Sequence, residues 1–274
     1  MSFFVFLMGL CSGSFVNMLI YRIAINYKLE SHPSSGGAGK SKVKSHRSVC
    51  DFCGRQLKWY ENIPVLSWMI QRGKSRCCQK KLPVLYPIVE IGTGILFVIN
   101  YQLSITNYPS VTRDFASLNH IQMILGIVAV TMLVFATVFD LKYMILPDFS
   151  TLILIITAFL RLVVVGFDWG YIISAIGASG FLGFLYLITK GKGMGFGDVK
   201  LAVFMGLWLG WPQILLAFYV AFISGAIVGS GLMMFKKLKR KSQIAFGPFL
   251  ILGTVVSWWW GEKLIFNLKF LMFN

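Results

Sequence analysis

A chain of 274 residues that is 57% hydrophobic and only 13% charged is not an ordinary soluble domain, where apolar residues make up about 45–50%. Its mean hydropathy of +0.73 points to a protein that crosses a membrane several times. The formal net charge is +16, but the cations lie in loops between apolar runs, which argues for membrane orientation and against nucleic-acid binding.

The first predicted span covers residues 3–25 and includes Cys11. It has no basic stretch ahead of it and no small-residue cleavage site, so it is expected to be retained rather than removed as a signal peptide. The loop 26–83 has two parts. Residues 31–45 are low in complexity and rich in Ser, Gly and Lys, which predicts a flexible segment. Residues 50–83 carry Trp59, Tyr60, Ile63, Val65, Leu66 and Trp68 between two cysteine pairs. So short a knob needs a staple to fold.

Cys50-Asp51-Phe52-Cys53 has the Cys-x2-Cys spacing of a zinc knuckle. The second pair, Cys77-Cys78, is adjacent, so both thiols reach one metal only on a bent backbone. The expected ligands are Cys50, Cys53, Cys77 and Cys78 around a structural zinc, with His46 or a single thiol of the second pair as alternatives. No His-Glu-x2-His pattern points to a catalytic zinc.

Further spans are predicted over 84–103, 121–139, 149–166, 170–189, 199–211, 214–235 and 244–266. The sixth has 13 residues, about 20 Å as a helix, and is short for a hydrocarbon core of about 30 Å. Charge parity retains it. With eight spans, 22 of the 26 Lys and Arg fall on one face, counting Arg22 and Lys200 there. Without it, the cluster from Lys236 to Lys241 would change sides. The expected fold is therefore an all-α polytopic membrane protein of about eight transmembrane helices. A small cysteine-containing cytoplasmic domain lies between the first and second. The organisation is 1–25 as first helix, 26–83 as cytoplasmic loop and 84–274 as membrane domain, with termini outside and basic loops cytoplasmic.

Asp140 closes the third span, and Asp198 follows the glycine run Gly193-Met194-Gly195-Phe196-Gly197 at the start of the sixth. Span parity puts both at one membrane face. Glycine permits positive φ and close approach of another segment, so Gly195 and Gly197 are expected to shape the loop at the site. Acids at the edge of a span mark functional sites. Two that meet cannot both be charged cheaply, and they would share one proton as an aspartyl protease pair does. Asp148, after Pro147, reads as a helix N-cap. Lys142, Lys190, Lys192 and Lys200 read as interfacial anchors. Other readings are an ion-coupled transporter or channel using the two aspartates, and a non-enzymatic assembly protein docking through its cysteine knob. No internal repeat favours the transporter.

Gly195-Phe196-Gly197-Asp198 resembles the Gly-x-Gly-Asp motif of intramembrane aspartyl proteases. Gly13-Ser14-Phe15-Val16-Asn17 through Arg22, Trp59 to Trp68, Tyr86-Pro87-Ile88-Val89-Glu90, Asp140 with Leu146-Pro147-Asp148, and Gly195 to Leu201 together resemble the bacterial type IV prepilin peptidases. The resemblance implies an inner-membrane aspartic endopeptidase. It would cut the basic leader of type IV prepilins or pseudopilins after a glycine, on the cytoplasmic side, with Asp140 and Asp198 catalytic. It also implies N-methylation of the new terminus from S-adenosylmethionine. The family's loop carries two Cys-x2-Cys pairs; here Ser75 stands where the third cysteine is expected, and Cys77 is an extra beside Cys78.

Overall fold

The computed structural model describes residues 1–27, 29, 50, 52–106, 113–191, 194–234 and 245–273, with 106, 113–119 and 267–273 described by backbone alone. The stretch 31–45, His46, Lys192, Gly193 and the cations from Lys236 to Lys241 lie outside the described residues. The chain divides into two compact units, Met1–Tyr101 and Gln102–Asn274.

Among the described residues every regular element is helical, apart from one isolated bridge between Lys74 and Lys81. Seven helices among the described residues are long and apolar enough to cross a membrane. They are α1 (Ser2–Asn26), α3 (Leu85–Thr106), α4 (Arg113–Tyr143), α5 (Asp148–Val165), α6 (Trp169–Ile188), α8 (Gln213–Met234) and α9 (Gly247–Phe273). The sixth expected segment, the short one, is α7 (Phe196–Leu209), whose 14 residues make about 21 Å of helix. It starts three residues earlier than its apolar run predicts, because Phe196, Gly197 and Asp198 join its first turn. The remaining helix, α2 (Leu66–Ile70), lies in the cysteine loop after a 3-10 turn at Trp59–Asn62.

Lipid is as apolar as a leucine side chain, so helices in a membrane associate by close packing rather than by escape from water. Glycines supply that closeness in each unit. In the first, a Cβ on Gly9 would lie 2.6 Å from Gly94 Cα, and one on Gly13 would lie 2.7 Å from Glu90 Cα, so α1 lies almost backbone to backbone on α3. The buried Glu90 carboxylate accepts the Val65 N–H at 2.7 Å and contacts Ser14 and Asn17, tying the loop to both helices.

In the second unit α7 is the central element. It packs on α5, α6, α8 and α9. Leu201, Ala202, Phe204 and Met205 are fully buried. Its far end is fixed by Arg161 of α5, whose guanidinium donates to the Trp208 carbonyl at 2.8 Å and lies 4.9 Å from that indole's centroid. A helix C-terminus leaves carbonyls unsatisfied, and in lipid they have no water to turn to. Arg161→Met keeps the bulk and removes the donor. It is expected to cost about 2 kcal/mol, read from unfolding in mixed micelles. Unchanged stability would show that the carbonyl finds another partner.

Candidate active site

Asp140 lies in the last turn of α4 and Asp198 in the first turn of α7. The chain reverses just after Asp140: Met144 takes φ +56, and α5 starts at Asp148. Both carboxyls are almost wholly shielded, at 5% and 4% exposure. The Asp140 charge acts directly on Asp198, so residues far apart in sequence come together at one end of the second unit. Among the described residues neither forms an ion pair.

One backbone donor holds each carboxylate. Gly195 N–H donates to Asp198 Oδ2 at 3.1 Å, while Asp198 N–H returns to the Gly195 carbonyl at 3.1 Å. Asp140 accepts from the N–H of Gly247, the first residue of α9. Gly195 has φ −78 and ψ 151, a conformation open to any residue, so the positive φ expected of this loop is not what sets its glycine. Close approach is the requirement at Gly197, where a Cβ would stand 2.8 Å from Leu146 Cβ.

Gly247 is the site neighbour that sequence reasoning missed, and Leu146 enters there only as part of the motif after Asp140. Phe246-Gly247-Pro248 carries a usable signal, since proline just inside a helix start marks an N-terminus with free donors.

Asp148 is not the N-cap of α5. Pro147 holds that place, and Asp148 is the first helical residue without a side-chain cap. The N–H groups an N-cap would serve are already turned to the Pro147 carbonyl, Ser150 at 3.0 Å and Thr151 at 3.5 Å. The freed carboxylate pairs with Lys200 Nζ at 2.6 Å. Lys200 also lies 5.2 Å from the Phe196 ring centroid, so it links α5 and α7.

In the first unit, the ligand atoms of Cys50, Cys53, Cys77 and Cys78 all lie within 4.8 Å of one another. Cys53 Sγ stands 3.0 Å from Cys77 Sγ, and Cys50 Sγ 4.0 Å from Cys78 Sγ. Thiolates around a tetrahedral metal with bonds of about 2.3 Å stand about 3.8 Å apart, so this set can hold a metal ion. Two turns face each other to make it. One closes through Cys50 N–H to the Arg55 carbonyl, with Gly54 at φ +70. The other closes through Ser75 N–H to the Lys80 carbonyl, with Gln79 at φ +57, and supplies the bend that adjacent cysteines require.

Ser75 is buried among the thiols, 3.4 Å from Cys50 Sγ and 3.0 Å from Cys77 Sγ. Burial pushes the Cys50 thiol up, but the Ser75 hydroxyl and the backbone at Phe52 and Cys53 outweigh it and bring it to about 7. For Cys77 the Ser75 hydroxyl acts downward; neighbouring thiols and burial prevail and hold it at about 12.

The model for the Bacterial Peptidase A24 N-terminal domain matches residues 7–103, and that for the Type IV leader peptidase family matches residues 127–230. A prepilin leader peptidase/N-methyltransferase of Aeromonas hydrophila is 31% identical over 276 residues, spanning 95% of this chain and 91% of the relative. The chain belongs to the type IV leader peptidase family. Proteins of the same name from Legionella pneumophila and Pseudomonas aeruginosa are 30% and 26% identical, each over 94% of this chain. They span 91% and 90% of their own lengths. No solved structure gives a significant match. The type IV leader peptidase match contains both aspartates, and the N-terminal match contains the four cysteines. Gly247 lies beyond both.

Proposed function

We propose that this chain is a membrane aspartyl endopeptidase that removes the leader of a type IV prepilin or pseudopilin after a glycine, at the cytoplasmic face of the inner membrane. The observation that carries this reading is the convergence of two shielded carboxyls from α4 and α7, in a chain of this peptidase family. Asp198 is the base and takes a proton from water. The new hydroxide oxygen bonds to the scissile carbonyl carbon, and Asp140 gives its proton to the carbonyl oxygen. Collapse of the tetrahedral species breaks the C–N bond: the proton held by Asp198 passes to the departing amine, and a hydroxyl proton of the tetrahedral carbon returns to Asp140 as the carbonyl re-forms. The Gly195 and Gly247 N–H groups hold the carboxyls without titrating. Basic loops face the cytoplasm in this reading, and 26–83 is the cytoplasmic module set into the membrane helices.

The cysteine group fits zinc in distance and donor type, and there it serves as a staple: Cys50, Cys53, Cys77 and Cys78 cross-link a loop too small for its own core. Cys50→Ser and Cys78→Ser are each expected to lower zinc in the purified protein from one equivalent to below about 0.3. Elemental analysis reads this directly, and full zinc in both variants would exclude this ligand set.

Transfer of a methyl group to the new N-terminus from S-adenosylmethionine follows from the names of the relatives. The loop's positive-φ glycines do not suit a glycine-rich nucleoside cradle: Gly54 and Gly73 open no helix, and Gly73 abuts the Trp68 ring. No step is assigned to that group.

Purified protein incubated with a prepilin, and followed for leader loss, tests the peptidase reading. No cleavage beside an active relative would overturn it.

A further inference from the structure

The first turn of α9 has one donor to offer. Pro248 has no N–H, and the amides of Phe249 and Leu250 turn back to the Phe246 carbonyl at 3.0 and 3.3 Å. Gly247 N–H remains, and it donates to Asp140. The α-carbon is also close. A Cβ on Gly247 would stand 2.6 Å from Asp140 Oδ2 and 3.3 Å from Leu146 Cδ1. Leu146 is the same side chain that abuts Gly197, one residue before Asp198. A line of contacts thus runs from α9 through Asp140 and Leu146 to the start of α7.

The two clamps differ in kind. Gly195 and Asp198 belong to one turn, so that clamp moves with its carboxylate. Asp140 is held by another helix, and its orientation depends on where α9 begins.

We propose that Gly247 is a positioning residue for Asp140: its N–H aims the carboxyl group, and its missing side chain leaves the space that this orientation occupies. The proposal rests on the reading of Asp140 and Asp198 as the cleaving pair. A carboxyl displaced by about 1 Å from its productive place loses on the order of 100-fold in rate, with little change in how the substrate docks.

The test uses the full-length chain in detergent with a purified prepilin. Gly247→Ala is expected to lower kcat about 100-fold and leave KM within about twofold. Gly177→Ala, where a Cβ meets nothing within 4 Å, is expected to behave as wild type. A backbone ester at the Phe246–Gly247 linkage removes the donor and adds no atom. It is expected to lower kcat about tenfold and to change the pH profile of kcat. This second form decides the matter if Gly247→Ala does not fold. Wild-type kcat and pH profile in the ester form would overturn the proposal, as would a raised KM at unchanged kcat. Asp140→Asn and Asp198→Asn run alongside. Turnover by either would remove the cleaving pair itself, whereas loss in both beside a wild-type ester form would remove only the role of Gly247.

Discussion

Asp198→Asn is expected to lower leader removal by about 10³- to 10⁴-fold, and Asp140→Asn by a similar factor. The substitution is nearly isosteric, and its oxygen still accepts the Gly195 N–H that holds Asp198 in the first turn of α7. What goes is the capacity to take a proton from water at one position and to give one to the carbonyl at the other. Both carboxyls are shielded, and no cation among the described residues pairs with either, so no neighbour can stand in for them. The double variant is expected to be no worse than either single one, because the two groups act in one step. Initial rates of leader release read this effect. N-methylation of an already cleaved peptide, an activity named for the relatives, reports whether each variant is folded. Turnover retained in either single variant would remove that aspartate from the pair.

Gly206→Ala is expected to lower stability sharply. A Cβ at this point in α7 would stand 2.3 Å from Ala175 Cα and 2.4 Å from Ala175 N, both backbone atoms of α6. A clash with a side-chain tip is relieved by a rotamer change, whereas this one requires a helix to move. Overpacking commonly costs about 1–3 kcal/mol, and a backbone collision belongs at or beyond the upper end. α6 and α7 must separate, and Asp198 rides on the displaced helix. The variant should unfold at markedly lower denaturant and cleave poorly even where it stays folded. Gly180→Ala, on α6 with nothing within 4 Å, is the matched control. Equal stability of the two variants would mean that α7 can slide, contrary to the tight crossing at Ala175.

The helices were legible because apolar runs of membrane length leave few alternatives, and the parity of basic loops was enough to expect Asp140 and Asp198 at one face. The start of α7 was misplaced because Gly195-Phe196-Gly197 carries no apolar run; Gly197 lies against Leu146, a tertiary contact that no local pattern announces. Asp148 misled for a related reason. A short acid before a helix usually caps it, but here the Pro147 carbonyl already serves the first turn and a lysine from another helix takes the charge. Gly247 was overlooked because a backbone N–H is a donor that every residue except proline possesses; only Pro248 beside it marks the helix start. The four cysteines were readable as a group, but the bend that lets Cys77 and Cys78 converge depends on Gln79 at positive φ, and glutamine is no signal for that.

α7 is about a third shorter than the hydrocarbon core, yet α5, α6, α8 and α9 pack around it. An ordinary span finds its vertical position by hydrophobic mismatch with the surrounding acyl chains. With so much of its surface turned to protein, α7 is largely relieved of that constraint. Its depth is then expected to follow the crossing at Gly206 and Arg161 at its far end, so that protein contacts rather than lipid thickness set the level of the Asp198 carboxyl.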